Sequence, residues 1–220
     1  MSAFSNLKEL VEASRKCTSC GLCKGRTQVV PGEGVETASI LFIGEGPGFH
    51  EDKQGRPFIG PAGKLLDELI GSIGLQRQQV YITNVVKCRP PGNRDPLPEE
   101  IDACRPWLDE QINFIRPKVI VTLGRHAMGH FLPGETITKA HGQARRSGTH
   151  LVIPMYHPAA ALYQQSLKKT MEEDFRRIPE LLKSAPSIAP AEGTASTPAS
   201  SPLPSPTNKK EDKPQQMSLF

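Results

Sequence analysis

The sequence lacks the features that would place a protein in a membrane or outside the cell. No apolar run approaches the roughly 20 residues that a membrane-spanning helix needs. The N-terminal segment SNLKELVEASRK has the spacing of a short amphipathic helix and not the continuous apolar stretch of a secretory signal. We therefore expect a cytoplasmic protein. In that reducing compartment, we expect its five cysteines to bind metal more readily than to form disulfides.

Three common catalytic signatures are also missing. The loop GEGPG at 44–48 does not continue as GxGxxG, because Phe49 stands where the third glycine would be. GPAGKL at 60–65 resembles the end of a P-loop but finishes in leucine, where Ser or Thr is needed. His126 and His130 lack the intervening glutamate of HExxH. These departures argue against a dinucleotide site, a P-loop and a zinc-protease motif.

The C-terminal segment differs in composition from the rest. Residues 185–220 contain seven prolines and little apolar periodicity, so they cannot bury enough surface to offset the loss of chain entropy. We expect one folded domain over residues 1–184 and a disordered tail over residues 185–220. The tail has three basic and three acidic residues, so the net charge of +4 belongs to the folded part. This mildly basic balance permits nucleic-acid binding without requiring it.

Apolar runs alternate with amphipathic segments along the folded part. Buried-strand patterns occur at 39–44, 80–86, 118–124 and 150–155. Helical spacing occurs at 61–74, 98–115, 125–132 and 167–183. The alternation predicts an α/β fold. We expect a single three-layer domain in which a central, mostly parallel, four-stranded sheet has helices on both faces.

Three segments that follow these strands are expected to meet at one edge of the sheet. The GEGPG loop follows the first strand, Asn84 lies near the end of the second, and His157 follows the fourth. Ligands of such sheets bind at the carboxyl ends of the strands. The sequence therefore predicts a pocket at this edge.

Four cysteines form two widely separated pairs. Cys17 and Cys20 make a CxxC, and Cys88 and Cys104 lie far downstream. Four buried thiols could pack as small apolar groups, but two such pairs favour a four-ligand metal site. Zinc and a [4Fe–4S] cluster both accept four thiolates, so spacing does not choose between them. Cys23 is a rival ligand, although the further cysteine and the proline of a ferredoxin run are missing.

Several motifs in a fixed order resemble those of a known family. They are GEGPG, EDKQGRPFIGPAG, TNVVKCRPPGNR, ACRPWL and YHPAAAL. From the first cysteine to about residue 162, the chain resembles the family 4 uracil-DNA glycosylases. The resemblance implies a fold of that type. It also implies a monofunctional enzyme that flips uracil out of DNA and hydrolyses its N-glycosidic bond, which starts base excision repair. The alternative is a non-catalytic iron–sulfur or zinc protein that binds nucleic acid.

The same resemblance implies a cofactor. The family's cluster is a structural [4Fe–4S] centre, and its ligands here would be Cys17, Cys20, Cys88 and Cys104. Cys23 would be left over.

Three side chains are expected to recognise uracil. A flipped base needs an aromatic platform, whose stacking contributes about 1–3 kcal/mol, and Phe58 is similar to the family's stacking residue. An amide distinguishes uracil from cytosine by donating to O4 and accepting from N3–H, and Asn84 matches that position. Gly48 stands where family 1 enzymes have the bulky aromatic that excludes thymine, so the resemblance points to Glu51 instead. The alternatives are core packing for Phe58 and an Asx-turn for Asn84.

Two loops, one containing Glu45 and the other His157, are expected to supply the catalytic residues. The departing uracil is an anion with charge on O2, and His157 resembles the family's residue that donates to it as a neutral imidazole. Gly46 stands where family 1 enzymes place a water-orienting aspartate, so we expect Glu45 to hold the water and bond breaking to lead. Glu45, Gly46 and Pro47 are also expected to contact the base.

Basic residues near these motifs are expected to bind DNA phosphates. The candidates are Lys87, Arg89, Lys139 and Arg145, the last two in the loop KAHGQARR at 139–146. For any one of them, a solvated surface position is an equal alternative. We expect a monomer that acts on uracil-containing DNA and is associated with the nucleoid.

The chain ends in QMSLF, which resembles the bacterial sliding-clamp-binding motif. The residues are Gln216, Met217, Ser218, Leu219 and Phe220, with methionine in place of the usual leucine. An apolar tip on a flexible tether raises the local concentration of the domain at a bound partner. The sliding clamp is therefore a second expected partner.

Overall fold

A computed structural model of the chain describes residues 3–185. The expected tail from residue 186 onwards, including the motif at 216–220, lies outside the described residues. Within residues 3–185, no helix combines the length and apolar character needed to cross a membrane.

A six-stranded sheet forms the centre of the domain. Its strands are β1 Glu33–Gly34, β2 Ile40–Gly44, β3 Tyr81–Asn84, β4 Val119–Leu123, β5 Arg145–Ser147 and β6 His150–Met155. The spatial order is β1-β3-β2-β4-β6-β5. The pairs β2–β3, β2–β4 and β4–β6 are parallel, whereas β1 and β5 pair antiparallel with β3 and β6.

The prediction of four strands was too few. The two strands it missed are the sheet edges β1 and β5, which are two and three residues long. Neither strand is fully buried, so neither has the apolar run from which the other four were recognised.

Nine α-helices surround the sheet in the described part of the chain. They are α1 Leu7–Ser14, α2 Phe49–Gln54, α3 Pro61–Ser72, α4 Pro98–Ile115, α5 Arg125–Phe131, α6 Ile137–Ala140, α7 Pro158–Tyr163, α8 Gln165–Phe175 and α9 Ile178–Ser184. Short 3-10 turns occur at Gly21–Lys24, Arg77–Gln79 and Pro91–Asn93. The single helix expected at 167–183 is two helices, α8 and α9. Pro179 lacks the N–H that would bond back to α8 and so prevents a continuous helix.

The core has two apolar clusters, one on each face of the sheet. Successive side chains of a strand point to opposite faces. In β2, Leu41 and Ile43 accordingly pack with α1 and α4, whereas Ile40 and Phe42 pack with α3 and α8. The central strands are buried on both sides, which explains their continuous apolar sequences.

The carboxyl ends of the four parallel strands lie together at one edge of the sheet. The loop after β2 contains Glu45 to Gly48, β3 ends at Asn84, and β6 is followed by Tyr156 and His157. This edge is where a doubly wound sheet binds its ligands.

Candidate functional site

A pocket of about 320 Å³ opens at the carboxyl edge of the sheet. It is lined by Glu45, Gly46, Pro47, Gly48, Glu51, Phe58, Ala62, Asn84, Pro90, Asn93, Arg94, His157 and Ala159. All seven residues expected to contact the base are in this set. The structure therefore brings together side chains that are more than 100 residues apart in the sequence.

Phe58 forms one wall of the pocket. The residue is 6% exposed, and its ring lies nearly parallel to the His157 imidazole, with ring centroids 5.6 Å apart and planes inclined by 29°. Phe58 also has a φ of +50°, a left-handed conformation that costs a non-glycine residue about 1–3 kcal/mol. The surrounding structure must supply that free energy, which indicates that this ring position is functionally important.

Asn84 lies at the end of β3 with only 1% of its surface exposed. Its Oδ1 has no hydrogen-bond partner among the described residues. A buried acceptor left in this state costs about 1–3 kcal/mol, and a ligand that donates to it recovers that cost. Gly44 makes room for both groups: a Cβ there would lie 2.4 Å from Asn84 Oδ1 and 2.5 Å from Phe58 Cζ.

Glu51, in α2, joins the two loops of the pocket. Its Oε1 accepts hydrogen bonds from the backbone N–H groups of Ile59 and Gly60, both at 3.0 Å. Its Oε2 lies beside Gly48, where an added Cβ would come within 2.8 Å of it. A side chain at position 48 and the Glu51 carboxylate thus exclude each other. Here the carboxylate occupies that space.

His157 caps the N-terminus of α7. Its Nδ1 accepts the N–H of Ala159 at 3.1 Å, so the proton of the neutral ring is on Nε2. Burial lowers the pKa of His157 to about 4, although the negative charge of Glu51 opposes the shift. At neutral pH the imidazole is therefore uncharged and offers one N–H donor.

Glu45 belongs to a charged group at the side of the pocket. Its Oε2 lies 3.7 Å from His126 Nε2, which in turn lies 3.6 Å from Asp95 Oδ1. Burial raises the pKa of Glu45 more than His126 lowers it, and Asp95 raises it further. Arg125 pairs with Asp95 and donates to His126. The guanidinium thus places one positive charge beside the two carboxylates.

Sequence reasoning missed several residues of this site. His126 lies next to Glu45, and Asp95 lies next to His126. Neither belongs to a motif that carried the resemblance, and no signal in the sequence connects them to Glu45. Asn93 and Arg94 line the pocket, and their signal was the motif TNVVKCRPPGNR, which carried the resemblance. Arg94 is held by two hydrogen bonds to the Glu100 carboxylate, at 2.9 and 2.7 Å.

The four paired cysteines form a second candidate site, and none of them is in a disulfide. Cys17 and Cys20 follow α1, Cys88 follows β3, and Cys104 is in α4. Each sulfur accepts a hydrogen bond from nitrogen. The donors are Trp107 Nε1 for Cys17 at 3.2 Å, the Leu22 amide for Cys20, Arg26 Nη1 for Cys88 at 3.3 Å and the Lys87 amide for Cys104 at 3.3 Å.

The electrostatics of this cysteine site fit a metal centre. Burial, and to a smaller degree the charge on Cys17, raises the pKa of Cys20, Cys88 and Cys104, the last to about 12. Four thiolates this close together need a cationic group among them. Cys23 is less involved: its charge contributes to the raised pKa of Cys20 but is not among the causes for Cys88 or Cys104.

The spacing of the sulfurs favours a cluster over a single zinc ion. Four sulfurs at about 2.3 Å from one zinc ion would lie roughly 3.8 Å apart. Within the described part of the chain, no three cysteine sulfurs lie within 4.8 Å of one another. A four-iron cluster is larger than one ion and holds its ligands further apart.

The expectation that Lys87 binds DNA phosphate was wrong. Lys87 is 2% exposed, and its Nζ donates to Thr83 Oγ1, the Asn84 carbonyl and Gln111 Oε1, each at 2.7 Å. Burial lowers the pKa of Lys87 to about 8. Its side-chain nitrogen contacts the carbonyl of Asn84, the last residue of β3, and so stabilises the end of that strand. The motif showed a basic residue but not the direction in which it points.

The other three basic candidates differ in exposure. Arg89 is half-buried, lies over the Phe49 ring at 5.1 Å and donates to Asn93 Oδ1 at 2.7 Å, which places it at the rim of the pocket. Lys139 is exposed in α6. Arg145 is half-buried in β5, where it donates to Gln143 at 2.8 Å. Neither Lys139 nor Arg145 lines the pocket.

Comparison with known proteins identifies the family. The profile of the Uracil DNA glycosylase superfamily matches residues 31–183. A type-4 uracil-DNA glycosylase of Sulfurisphaera tokodaii is 52% identical over 188 residues, which cover 81% of this chain and 86% of the relative.

The chain belongs to the type-4 uracil-DNA glycosylases.

Two further relatives support the assignment. Type-4 uracil-DNA glycosylases of Archaeoglobus fulgidus and Thermotoga maritima are each 48% identical, covering 81% and 80% of this chain and 94% and 95% of the relatives. The family resemblance seen in the motifs is therefore confirmed. The profile match spans every residue that lines the pocket as well as Cys88 and Cys104, whereas Cys17 and Cys20 precede it.

Proposed function

We propose that this protein excises uracil from DNA, by flipping the base into the pocket and hydrolysing its N-glycosidic bond as the first step of base excision repair. The observation that carries the proposal is Asn84 Oδ1, a buried acceptor without a partner in the described structure, in the same pocket as the ring of Phe58, whose backbone is left-handed. The names of the relatives agree with it. A non-catalytic nucleic-acid-binding protein would not need such an acceptor next to a neutral histidine.

Recognition of uracil follows from the hydrogen-bonding atoms of Asn84. Its Oδ1 accepts from uracil N3–H, and its amide nitrogen donates to O4. Cytosine has an acceptor at N3 and a donor at position 4, so both contacts would become repulsive. Phe58 supplies the stacking surface, worth about 1–3 kcal/mol for a base. Flipping itself costs a few kcal/mol, and less in single strands.

Exclusion of thymine is assigned to Glu51. Because its carboxylate occupies the space beside Gly48 and is held by the Ile59 and Gly60 amides, it cannot move away from a methyl group on C5. A methyl group there would meet a charged, fixed oxygen and strip it of hydration. Uracil has only hydrogen at that position.

His157 stabilises the departing base. As the bond breaks, negative charge develops on O2 of uracil, and the Nε2–H of the neutral imidazole donates to that oxygen. Its Nδ1 is held by the Ala159 amide, so the ring need not reorganise during the reaction. One such donor is worth about 2.7–4 kcal/mol in the transition state.

Glu45 is assigned to the attacking water. The pKa of Glu45 is raised by burial, which makes its carboxylate a stronger base. Bond breaking leads in this scheme, and the water is captured late.

Binding of DNA is assigned to the rim of the pocket. Arg89 lies there beside the exposed Phe49 ring, and Lys139 and Arg145 are further candidates for phosphate contacts outside the pocket. Contacts of this kind position the strand and weaken as salt concentration rises. The protein acts as a monomer in this proposal.

The [4Fe–4S] cluster is assigned to Cys17, Cys20, Cys88 and Cys104. The cluster has a structural role here and takes no part in bond breaking. The donors from Trp107, Arg26 and the Lys87 amide stabilise the thiolates that hold it.

The sliding clamp is the proposed partner of the terminal motif. Deletion of residues 216–220 should abolish binding to a purified clamp and leave cleavage of short oligonucleotides unchanged. Unchanged clamp affinity would refute this part of the proposal.

An oligonucleotide assay tests the proposed activity. The cluster-loaded protein is incubated with single- and double-stranded DNA containing one uracil, and alkali-labile abasic sites are counted. We expect cleavage at uracil and none at cytosine or thymine in matched strands. Asn84→Ala should retain the brown colour of the cluster and lose cleavage. Absence of abasic sites with the wild-type protein would contradict the proposed function.

A further inference from the structure

The left-handed conformation of Phe58 needs an explanation in the surrounding structure. Its ring is the proposed stacking surface for uracil, yet φ of +50° is a conformation that phenylalanine rarely adopts. Pro57, which precedes it, has a fixed φ and no N–H. The groups that hold the two peptide units on either side of Phe58 therefore decide where the ring points.

Arg77 holds the carbonyl side of this segment. Its Nη1 donates to the Phe58 carbonyl at 3.0 Å, and its Nη2 donates to the Pro57 carbonyl. The side chain is 13% exposed and comes from the 3-10 turn that precedes β3. Two successive carbonyls thus accept from one planar guanidinium, which fixes the orientation of the peptide unit between them.

Two carboxylates keep the guanidinium in place. Arg77 Nε donates to Glu33 Oε1 at 2.7 Å, and Nη1 also reaches Asp67 Oδ1 at 3.0 Å. All three nitrogens of the guanidinium are therefore engaged, and the side chain has no freedom to follow a moving loop.

Glu51 holds the opposite side of the same segment. Its Oε1 accepts from the amides of Ile59 and Gly60, which follow Phe58 directly. Arg77 and Glu51 together fix the chain before and after the ring. Only Glu51 lines the pocket; Arg77 contacts the segment from the far side and does not reach the base.

We propose that Arg77 is a positioning residue for uracil binding: its carbonyl contacts hold Phe58 in the left-handed conformation that presents the ring to the base. The inference rests on the proposed function, because the ring matters only if a base stacks on it. Loss of Arg77 lets the segment relax to an ordinary conformation, which withdraws the ring and weakens base binding.

The chain offers a matched control in Arg56. Arg56 pairs with the same Glu33 carboxylate, at 2.7 and 3.0 Å, and both of its hydrogen bonds in the described structure go to that residue. Substitution of either arginine removes one positively charged partner of Glu33. Only substitution of Arg77 also removes the hydrogen bonds to the Pro57 and Phe58 carbonyls.

The test compares Arg77→Met with Arg56→Met. The readouts are kcat and KM on a single-stranded uracil oligonucleotide, inhibition by free uracil, and the thermal unfolding midpoint. We expect Arg77→Met to lower kcat/KM about tenfold and to weaken uracil inhibition by a similar factor, as partial loss of base stacking predicts. Arg56→Met should leave both values within about twofold of wild type.

A double-mutant cycle separates positioning from general structure. If Arg77 acts through the Phe58 ring, Arg77→Met should add little to the loss already caused by Phe58→Ala. Additive losses, or equal behaviour of the two arginine variants, would overturn the inference.

If Arg77→Met does not fold, Arg77→Lys takes its place. It keeps the charge but not the planar fork, and we then expect about a threefold loss in kcat/KM that Phe58→Ala again masks. A wild-type protein that releases no uracil would instead refute the proposed function itself.

Discussion

The base pocket and the cysteine site are built in opposite ways, although Asn84 and Cys88 are only four residues apart in the chain. In the pocket, the backbone of Phe58 is in a strained left-handed conformation, and the buried Asn84 Oδ1 has no partner among the described residues. In the cysteine site, every sulfur already has a nitrogen donor. The difference indicates that the pocket is made for a ligand that comes and goes, and the cysteine site for one that stays.

Lys87 lies between the two sites. Its amide donates to Cys104 Sγ, and its ammonium donates to the Asn84 carbonyl. One residue, Lys87, therefore connects the end of β3 to the cysteine site. A permanent metal centre would stabilise the edge of the sheet from which the pocket residues project. Variants that change one site at a time test this difference between the two sites.

Loss of a proposed cluster ligand should have the largest effect. Cys104→Ser should abolish the broad absorbance near 400 nm. It should also lower the free energy of unfolding by about 5 kcal/mol, because cluster binding contributes to folding. Cys23→Ser is the matched control and should keep both absorbance and stability. Spectra and chemical denaturation of the two variants measure this, and a stable, brown Cys104→Ser protein would remove Cys104 from the cluster.

Loss of the proposed O2 donor should affect the reaction far more than the fold. His157→Ala should lower kcat about 100- to 1000-fold, while loss of the cap contact to the Ala159 amide should lower the free energy of unfolding by only about 1 kcal/mol. His150→Ala is the control, because His150 begins the same strand β6 at the end remote from the pocket. Single-turnover cleavage of a uracil oligonucleotide gives the comparison. Equal rates for the two variants would contradict the role of His157.

The buried histidine should also make stability depend on pH. The pKa of His157 is about 4 in the folded protein and about 6.5 when unfolded, so the unfolded state binds a proton first as pH falls. This contribution is fully present above about pH 6.5 and is lost progressively down to about pH 4, by up to roughly 3 kcal/mol. Denaturation of wild type and His157→Ala across this range should show a flatter profile for the variant. Parallel profiles would contradict the assignment.

Loss of one rim cation should have the smallest effect. Arg89→Gln should weaken DNA binding modestly and reduce the slope of log K against log salt by about 1. Arg89 lies beside the exposed Phe49 ring and belongs neither to the residues that line the base pocket nor to the four cysteines. Lys87→Gln is not a comparable test of DNA contact, because Lys87 is buried. A salt dependence identical to wild type would exclude Arg89 from the phosphate contacts.

Much of the architecture could be predicted from the sequence. The helix Pro98–Ile115 was expected with the same bounds, because a proline starts it and an apolar face runs through it. The four parallel strands were visible as continuous apolar runs. The edge strands β1 and β5 were not, because hydrogen bonding to a neighbour defines them and their side chains carry no pattern.

The sequence predicted the residues that line the pocket better than the residues that hold them in place. Motif order brought Phe58, Asn84 and His157 together, but pairwise contacts across the fold have no signature in one sequence. Arg77 holding the Phe58 segment and Lys87 turned inward are examples. Both depend on where a long, flexible side chain ends, which is decided by packing and not by spacing.

A crystal structure of the protein with uracil bound tests the central claim most directly. We expect the base to stack on Phe58, with Asn84 Oδ1 within hydrogen-bond distance of N3 and His157 Nε2 within hydrogen-bond distance of O2. A base bound elsewhere, or one in this pocket with Asn84 Oδ1 still unpartnered, would contradict the account.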